Sequence, residues 1–305
     1  MRSGALIALR PGGSRKLFLV HDGEGETLVY LNLARRMPDN LAVFAIEPHR
    51  IARVPLAHTT IEDMAAFYIG EVRKEQPRGP YLLGGLCAGG VIAYEMASQM
   101  VRSGESVELL VLLEAATPDA QERPGRIRKQ RLGRLRQTFV DARQRAPWKR
   151  AAVVAGAISR KLMNALRWEI AQRNRQWWAR ARYHLLRGLL TRKLRWPRLI
   201  PELSVRQIYD SAQARYQPKP LTIASIVLVR ARTGEGDDTP NRNVYTDETF
   251  GWSSIARELT LIDVEGGHST MLEERFVNSL AEAILPYLQQ NHGSIRERPL
   301  EVKMV

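Results

Sequence analysis

The amino-acid sequence predicts an α/β fold in which a mostly parallel sheet is flanked by helices and interrupted by a large helical insertion. Strand and helix patterns alternate over residues 16–113, which is typical of parallel strands joined by right-handed crossovers. A glycine-rich junction at residues 84–90 joins an apolar strand to an apolar helix. Strand patterns then stop and return only after residue 220, which indicates an insertion.

The elements are assigned in chain order from apolar periodicity and turn residues. Residues 1–15 are predicted to be irregular, because Pro11 and two following glycines mark a loop. A helix is predicted to start at Thr60, which is a suitable N-cap followed by acidic residues. The predicted strands are 16–20, 40–46, 81–84, 107–113, 223–229 and 258–264, and the other predicted helices are 27–37, 91–102 and 274–290.

The positive charge of the chain belongs to one segment. Residues 121–200 hold 23 Lys and Arg against 3 Asp and Glu, whereas the rest holds 23 basic and 29 acidic residues. The region 117–201 contains arginine-rich helical patterns, and residues 151–170 place an apolar stripe on one helix face. We therefore predict a core of residues 1–116 and 202–291, a basic helical insertion at 117–201 and a C-terminal tail at 292–305.

Composition excludes several classes of protein. The single cysteine excludes an intramolecular disulfide framework and a cysteine-based zinc site, and it favours a reducing cytoplasm. No apolar run approaches the roughly 20 residues needed to span a bilayer, and the N-terminus lacks the apolar region of a signal peptide. We expect a soluble, cytoplasmic protein without a bound metal.

The junction Gly85-Leu86-Cys87-Ala88-Gly89 has the G-x-nucleophile-x-G spacing of a strand-to-helix elbow, with cysteine at the centre. An elbow strains its central residue and leaves no room for side chains two positions away, which accounts for the glycines. A helix N-terminus also stabilises a thiolate. The alternative is that Cys87 is a small buried apolar residue beside a turn.

Two more residues with suitable chemistry follow predicted strands. Glu114 comes directly after the strand 107–113, and His268 follows the strand 258–264. Loops at strand ends build the sites of open parallel sheets. The order of nucleophile, acid and histidine along the chain is that of α/β-hydrolases.

At this point the sequence resembles the thioesterase domains that end nonribosomal peptide and polyketide assembly lines, in secondary metabolism. The resemblance extends over residues 6–290 and implies an α/β-hydrolase fold whose helical insertion is a lid. The matching pieces are 6–14, 17–21, the elbow, Tyr209, 216–218, 251–252, 266–268 and 271–272.

The resemblance implies a role for each matched residue. Cys87 would attack an acyl thioester and form an acyl-enzyme, and His268 would carry the proton. The acid that orients His268 would be Glu114, although related free-standing thioesterases place it after a later strand, where Asp237 or Asp238 could serve. The backbone N–H groups of Ala88 and Gly23 would form the oxyanion hole.

The resemblance also implies the partner. The substrate would arrive on the phosphopantetheine arm of an acyl or peptidyl carrier protein, and the enzyme itself would bind no cofactor. The arginines of residues 121–200 could form a solvated helix face, bind nucleic acid, or dock the carrier electrostatically. Docking of a carrier fits the family, and no recognised nucleic-acid-binding fold accompanies the charge.

The sequence departs from the usual family pattern at two positions, with Cys87 for serine and Glu114 for aspartate. A cysteine forms a thioester intermediate that retains most of the substrate's activation, which favours cyclisation or transfer to a nucleophile over hydrolysis. Whether Cys87 is native or was introduced in place of serine stays open. The alternative functions are a cysteine acyltransferase similar to polyester synthases and a non-catalytic binding module with a hydrolase fold.

Overall fold

The structure, a computed structural model, describes residues 4–123, 174 and 177–289. Seven strands in these residues form one sheet with the order β1-β3-β2-β4-β5-β6-β7. Strand β1 pairs with β3 in antiparallel fashion, and the other neighbouring strands are parallel. The strands are β1 (Leu6–Arg10), β2 (Arg15–Val20), β3 (Leu41–Ile46), β4 (Tyr81–Leu86), β5 (Val107–Leu113), β6 (Ile226–Ala231) and β7 (Leu259–Val264).

Helices connect the parallel strands, and their ends follow local sequence signals. The Thr60 hydroxyl accepts a hydrogen bond from the Asp63 N–H at 3.1 Å and caps α2, and Ser204 forms a capping box with Gln207 at the start of α5. The described helices are α1 (Leu31–Arg35), α2 (Ile61–Glu75), α3 (Ala88–Arg102), α4 (residues 177–191), α5 (Val205–Gln213) and α6 (Val277–Gln289).

The structure confirms the predicted α/β class and its mostly parallel sheet, and it adds two elements. Strand β1 lies in the region predicted to be irregular. This short, partly buried segment forms a strand because its backbone pairs with β3. Helix α5 also had no counterpart in the sequence assignment. It is short, and its stability depends on its capping box and on tertiary contacts.

The core sits on both faces of the central strands, and this places the site. Every residue of β4, β5 and β6 is buried, as expected for parallel strands covered by helices on both sides. Strands β2, β4, β5, β6 and β7 run in the same direction. Their C-terminal ends therefore meet at one edge of the sheet, and the loops that follow them converge there.

The chain divides into two compact units, one of Met1–Glu122 with Leu189–Val305 and one of Arg123–Gly188. Most of the insertion predicted at 117–201, the apolar stripe at 151–170 and the tail at 292–305 lie outside the described residues. No helix among the described residues is long and apolar enough to cross a membrane.

Candidate active site

Cys87 occupies a strained turn between β4 and α3. Its backbone angles are φ 52° and ψ −113°, which a non-glycine residue adopts only at a cost of about 1–3 kcal/mol. A Cβ atom at Gly85 would lie 2.4 Å from the carbonyl carbon of Gly89. A Cβ atom at Gly89 would lie 2.5 Å from the carbonyl oxygens of Val20 and His21. The two glycines thus allow the elbow to sit against β2 and α3.

Glu114 directly follows β5 and also has a positive φ, of 45°. Its carboxylate is fully buried and accepts hydrogen bonds from two backbone N–H groups, those of Ala231 at 2.7 Å and Asn241 at 2.6 Å. The Asn241 side chain donates to the Glu114 carbonyl oxygen at 2.6 Å. These contacts fix the carboxylate beside His268, whose Nδ1 lies 3.2 Å from Glu114 Oε2. The structure therefore brings Glu114 and His268 together.

Asp238, an alternative acid from the sequence, lies in the same region but does not bond the imidazole. Its carboxylate accepts hydrogen bonds from the backbone N–H and hydroxyl groups of Ser269 and Thr270, at 2.6–3.1 Å. Its carbonyl oxygen accepts from the His268 N–H at 2.9 Å. Asp238 thus holds the backbone that carries His268. Asp237, the other alternative, has an exposed side chain.

The glycines before His268 have a steric function in this loop. A Cβ atom at Gly267 would lie 1.9 Å from Asp238 Oδ2, and Gly266 has a φ of 97°. The turn can therefore bring its backbone against Asp238 only without a side chain at Gly267, and the left-handed conformation of Gly266 also favours glycine. Although Asp238 is partly buried, which raises its pKa, the bonds from Thr270 and Ser269 outweigh burial and lower it. The carboxylate is ionised at neutral pH.

Cys87 and His268 are hydrogen-bonded, and each shifts the pKa of the other. Burial opposes charge on both groups, but their mutual hydrogen bond and attraction outweigh it, with Glu114 adding to the effect on His268. The pKa of the Cys87 thiol is therefore lowered, and the pKa of His268 is raised to about 10. Because Glu114 occupies Nδ1, Nε2 is the ring nitrogen available to Cys87.

This pairing predicts an unusual pH profile for alkylation of the protein by iodoacetamide. Since the chain has one cysteine, the label reports on Cys87 alone. The pKa of Cys87 is lowered, so in the folded chain the rate should fall at a pH below the ordinary thiol pKa. The urea-unfolded chain should instead lose its rate at the ordinary thiol pKa. Coincident profiles for the folded and unfolded chains would contradict the pairing.

The loop after β2 leaves one backbone donor free near the elbow. The N–H groups of Asp22, Glu24, Gly25 and Glu26 all bond within the loop. Among the described residues, none accepts a hydrogen bond from the Gly23 N–H. The Ala88 N–H bonds the Cys87 sulfur and contributes to its lowered pKa. Both donors named from the sequence are thus unused by the surrounding backbone.

His21 supports this loop. It is fully buried, with Nδ1 2.7 Å from the Asp22 carbonyl oxygen and Nε2 2.8 Å from the Tyr68 hydroxyl. Burial lowers its pKa to about 4, so the ring is neutral. A carbonyl can only accept, so Nδ1 carries the proton and Nε2 accepts from Tyr68. His21 therefore orients the loop.

Sequence reasoning missed three residues in this region. Asn241 holds Glu114 through two hydrogen bonds, and no local sequence pattern indicates this role. Arg206 lies on α5 with its guanidinium against Gly23, where a Cβ atom would lie 2.6 Å from Cζ. Tyr209, one turn further on, was matched only as a family residue and is buried. The described residues contain no group of three or more His, Cys, Asp or Glu arranged to hold a metal.

The parallel sheet, the elbow after β4 and the acid and histidine carried after β5 and β7 define an α/β-hydrolase. Within that class, a family model described as "Thioesterase domain" matches residues 15–288. The chain belongs to the thioesterase domain family.

The chain is similar to parts of non-reducing polyketide synthases. It is 42% identical over 107 residues to the non-reducing polyketide synthase Preu8 of Preussia isomera, covering 35% of this chain and 5% of that protein. It is also 42% identical over 106 residues to the non-reducing polyketide synthase terA of Aspergillus terreus, covering 34% and 5%. The chain thus spans a small fraction of the length of these relatives.

Solved thioesterase structures share the fold along nearly the whole chain. The NocB thioesterase domain in covalent complex with a fluorophosphonate nocardicin G analogue has a TM-score of 0.56 at 25% identity, covering 93% of this chain and 99% of that one. The thioesterase domain SrfTE, which cyclises surfactin, has a TM-score of 0.54 at 15% identity, covering 94% and 96%, and it supports the fold alone.

Proposed function

We propose that this protein releases an acyl chain from the phosphopantetheine thioester of a carrier protein through a Cys87 acyl-enzyme. The observation that carries the proposal is the position of Cys87 in a strained elbow, hydrogen-bonded to a histidine that in turn bonds a buried carboxylate. Neither a structural cysteine nor a non-catalytic binding module requires this arrangement. The family match favours a thioesterase over the polyester-synthase-like acyltransferase.

In the first half-reaction the Cys87 thiolate attacks the thioester carbonyl carbon. The developing oxyanion accepts hydrogen bonds from the N–H groups of Ala88 and Gly23, each worth about 3 kcal/mol at comparable sites. The bond between the carbonyl carbon and the pantetheine sulfur then breaks, and the imidazolium of His268 gives its proton to the leaving thiolate. Glu114 stabilises the imidazolium and fixes its orientation.

In the second half-reaction His268, now neutral, takes a proton from the incoming nucleophile. That nucleophile attacks the acyl-enzyme, the bond to Cys87 Sγ breaks, and the thiolate–imidazolium pair is restored. A cysteine acyl-enzyme is itself a thioester, so the acyl group stays activated. We propose that release occurs by cyclisation or transfer to a nucleophile on the chain or a second molecule, with water as the competing acceptor.

The partner in this proposal is a carrier protein domain. The similarity to polyketide synthases favours a polyketide acyl chain over a peptidyl chain. The fold also matches part of AB3403, a four-domain nonribosomal peptide synthetase, with a TM-score of 0.59 at 23% identity, covering 94% of this chain and 20% of that one. The excess of basic residues at 121–200 is suited to docking a carrier of acidic surface.

The test is to incubate the protein with acyl-loaded carrier protein or with N-acetylcysteamine thioesters and to measure its intact mass. We expect an adduct of the acyl mass on the wild-type protein and none on Cys87→Ala. Cys87→Ser should form an ester and release more hydrolysed product relative to cyclised or transferred product. Absence of the wild-type adduct, or an adduct that survives in Cys87→Ala, would overturn the mechanism, and an unchanged product ratio in Cys87→Ser would overturn the role of retained activation.

A further inference from the structure

Helix α5 brings two hydrogen-bond donors to the loop that follows β2. Val205 packs on this loop, because a Cβ atom at Gly25 would lie 3.1 Å from its side chain. The guanidinium of Arg206 lies against Gly23, and its Nε donates to Glu24 Oε1 at 2.9 Å. Tyr209 is three residues further along, so its side chain is on the same helix face as that of Arg206. This loop also touches the elbow, because a Cβ atom at Gly89 would lie 2.5 Å from the carbonyl oxygen of His21.

The Tyr209 hydroxyl is an unexplained polar group. The residue is 2% exposed, and among the described residues its hydroxyl has no hydrogen-bond partner. Buried polar groups nearly always have a partner, and exceptions in native structures often mark a ligand, a water or a functional site. By contrast, the buried hydroxyl of Tyr30 donates to the Val20 carbonyl oxygen at 2.7 Å. Among the residues that the structure describes, the Tyr209 hydroxyl is therefore a buried donor without an acceptor, as expected of a group that bonds a ligand.

The Arg206 guanidinium and the Tyr209 hydroxyl both interact electrostatically with Cys87, and both act as hydrogen-bond donors. Burial, followed by the nearby thiolate, raises the pKa of Tyr209 well above its ordinary value. For Arg206 the bond to Glu24 and the thiolate outweigh burial, which opposes its charge, and raise its pKa. The phenol thus keeps its proton, and the guanidinium can only donate. Two converging donors select an acceptor, and a carbonyl oxygen with two lone pairs suits both.

We propose that Arg206 and Tyr209 form a subsite that hydrogen-bonds a second carbonyl oxygen of the acyl chain, so that the site takes 3-oxoacyl thioesters in preference to saturated ones. This inference rests on the proposed acyl-enzyme function, in which Ala88 and Gly23 serve the thioester carbonyl itself. The 3-oxo carbon is two bonds from that carbonyl carbon, so its oxygen would stay close to the elbow, beside the loop on which α5 packs.

The experiment measures acylation of Cys87 by 3-oxohexanoyl and hexanoyl N-acetylcysteamine thioesters, followed by intact mass. The two thioesters differ in intrinsic reactivity, so the quantity compared is the ratio of their rates in each protein. Tyr209→Phe should lower this ratio about tenfold or more, because a site built to bond an oxygen discriminates strongly through that bond. Its rate with the hexanoyl thioester should fall much less than its rate with the 3-oxohexanoyl thioester, because the saturated chain has no oxygen at that position.

Two further variants sharpen the test. Arg206→Lys keeps the positive charge near Cys87 but loses the planar fork of donors, and it should also lower the ratio. Tyr81→Phe deletes a hydroxyl at the opposite end of β4, where it donates to Glu105 at 2.8 Å, and it should leave the ratio unchanged.

The possible failures are distinguishable. An equal loss of both rates in Tyr209→Phe would indicate a structural role and overturn the subsite alone. An unchanged ratio in Tyr209→Phe would do the same. If neither thioester acylates the wild-type protein, the acyl-enzyme function fails and the subsite fails with it.

Discussion

Replacing His268 by alanine is expected to slow acylation of Cys87 by about 10³-fold, within the range of roughly 10²–10⁴ for a positioned acid–base group. The variant loses the hydrogen bond and the charge that lower the pKa of Cys87, whereas burial of the sulfur continues to raise that pKa. The leaving pantetheine thiolate also loses its proton donor. The rate of acyl-adduct formation on the single cysteine measures the combined effect.

The same variant gives a second, independent readout. Its iodoacetamide profile should shift to higher pH than that of the wild-type protein, because the pKa of Cys87 rises when the imidazolium is removed. The sign follows from the wild-type pair, in which the thiol pKa is lowered and the histidine pKa is raised to about 10. A variant that is slow in acylation but whose alkylation profile does not move would contradict the pairing and indicate that His268 acts in acylation only as the proton donor to the leaving thiolate.

Replacing Glu114 by glutamine is expected to lower turnover by about 10³–10⁴-fold, as amide substitution of a triad acid does elsewhere. The amide removes the negative charge that stabilises the imidazolium of His268. It also places an NH₂ group against the N–H donors of Ala231 and Asn241, which already face both carboxylate oxygens. We expect a loss of stability of about 1–3 kcal/mol from the donor left unsatisfied, measured by urea unfolding.

Asp238→Asn is the matched control for Glu114→Gln. It makes the same chemical change at the other sequence-derived acid, which bonds the backbone and hydroxyls of Ser269 and Thr270. We expect a smaller loss of turnover, because the imidazole keeps Glu114, and little effect from Asp237→Asn on the exposed neighbour. If Asp238→Asn proved more damaging to turnover than Glu114→Gln, the orienting acid would have to be reassigned.

The cysteine nucleophile and the proposed subsite on α5 would together control which nucleophile attacks the acyl-enzyme. A thioester acyl-enzyme keeps its acyl group reactive toward any nucleophile. The choice of nucleophile must therefore depend on how the protein holds the rest of the acyl chain. Donors at Arg206 and Tyr209 would hold an oxygenated chain next to the thioester while its internal nucleophile approaches. Product analysis with the Tyr209→Phe variant extends the same experiment to the second half-reaction.

Local sequence signals predicted most of the fold. The strands that became β2 to β7 contain apolar runs bounded by turn residues, and buried parallel strands of this kind are marked by their own composition. Helix α2 follows its Thr60 cap. Strand β1 could not be predicted in this way, because it is ordered by antiparallel pairing with a strand that begins more than 30 residues later. Helix α5 has few residues, so its local signal is weak.

Part of the site could also be predicted, because some of its residues lie in local sequence patterns. Cys87 lies in a motif whose glycines are required by local sterics, and Glu114 follows a strand that could be recognised. The choice between Glu114 and Asp238 could not be made from spacing, because both lie in loops that reach the same edge of the sheet. It depends on which carboxylate points at the imidazole ring and which bonds the backbone.

The sequence by itself determined the fold class, the position of the elbow and the order of Cys87, Glu114 and His268 along the chain. These features follow from composition and steric needs within a few neighbouring residues. Only the tertiary structure decided that Glu114 contacts His268, that Asp238 supports the loop, and that the buried Tyr209 hydroxyl has no partner in the described part of the chain. Each of these depends on contacts between residues far apart in the chain, and local periodicity carries no information about them.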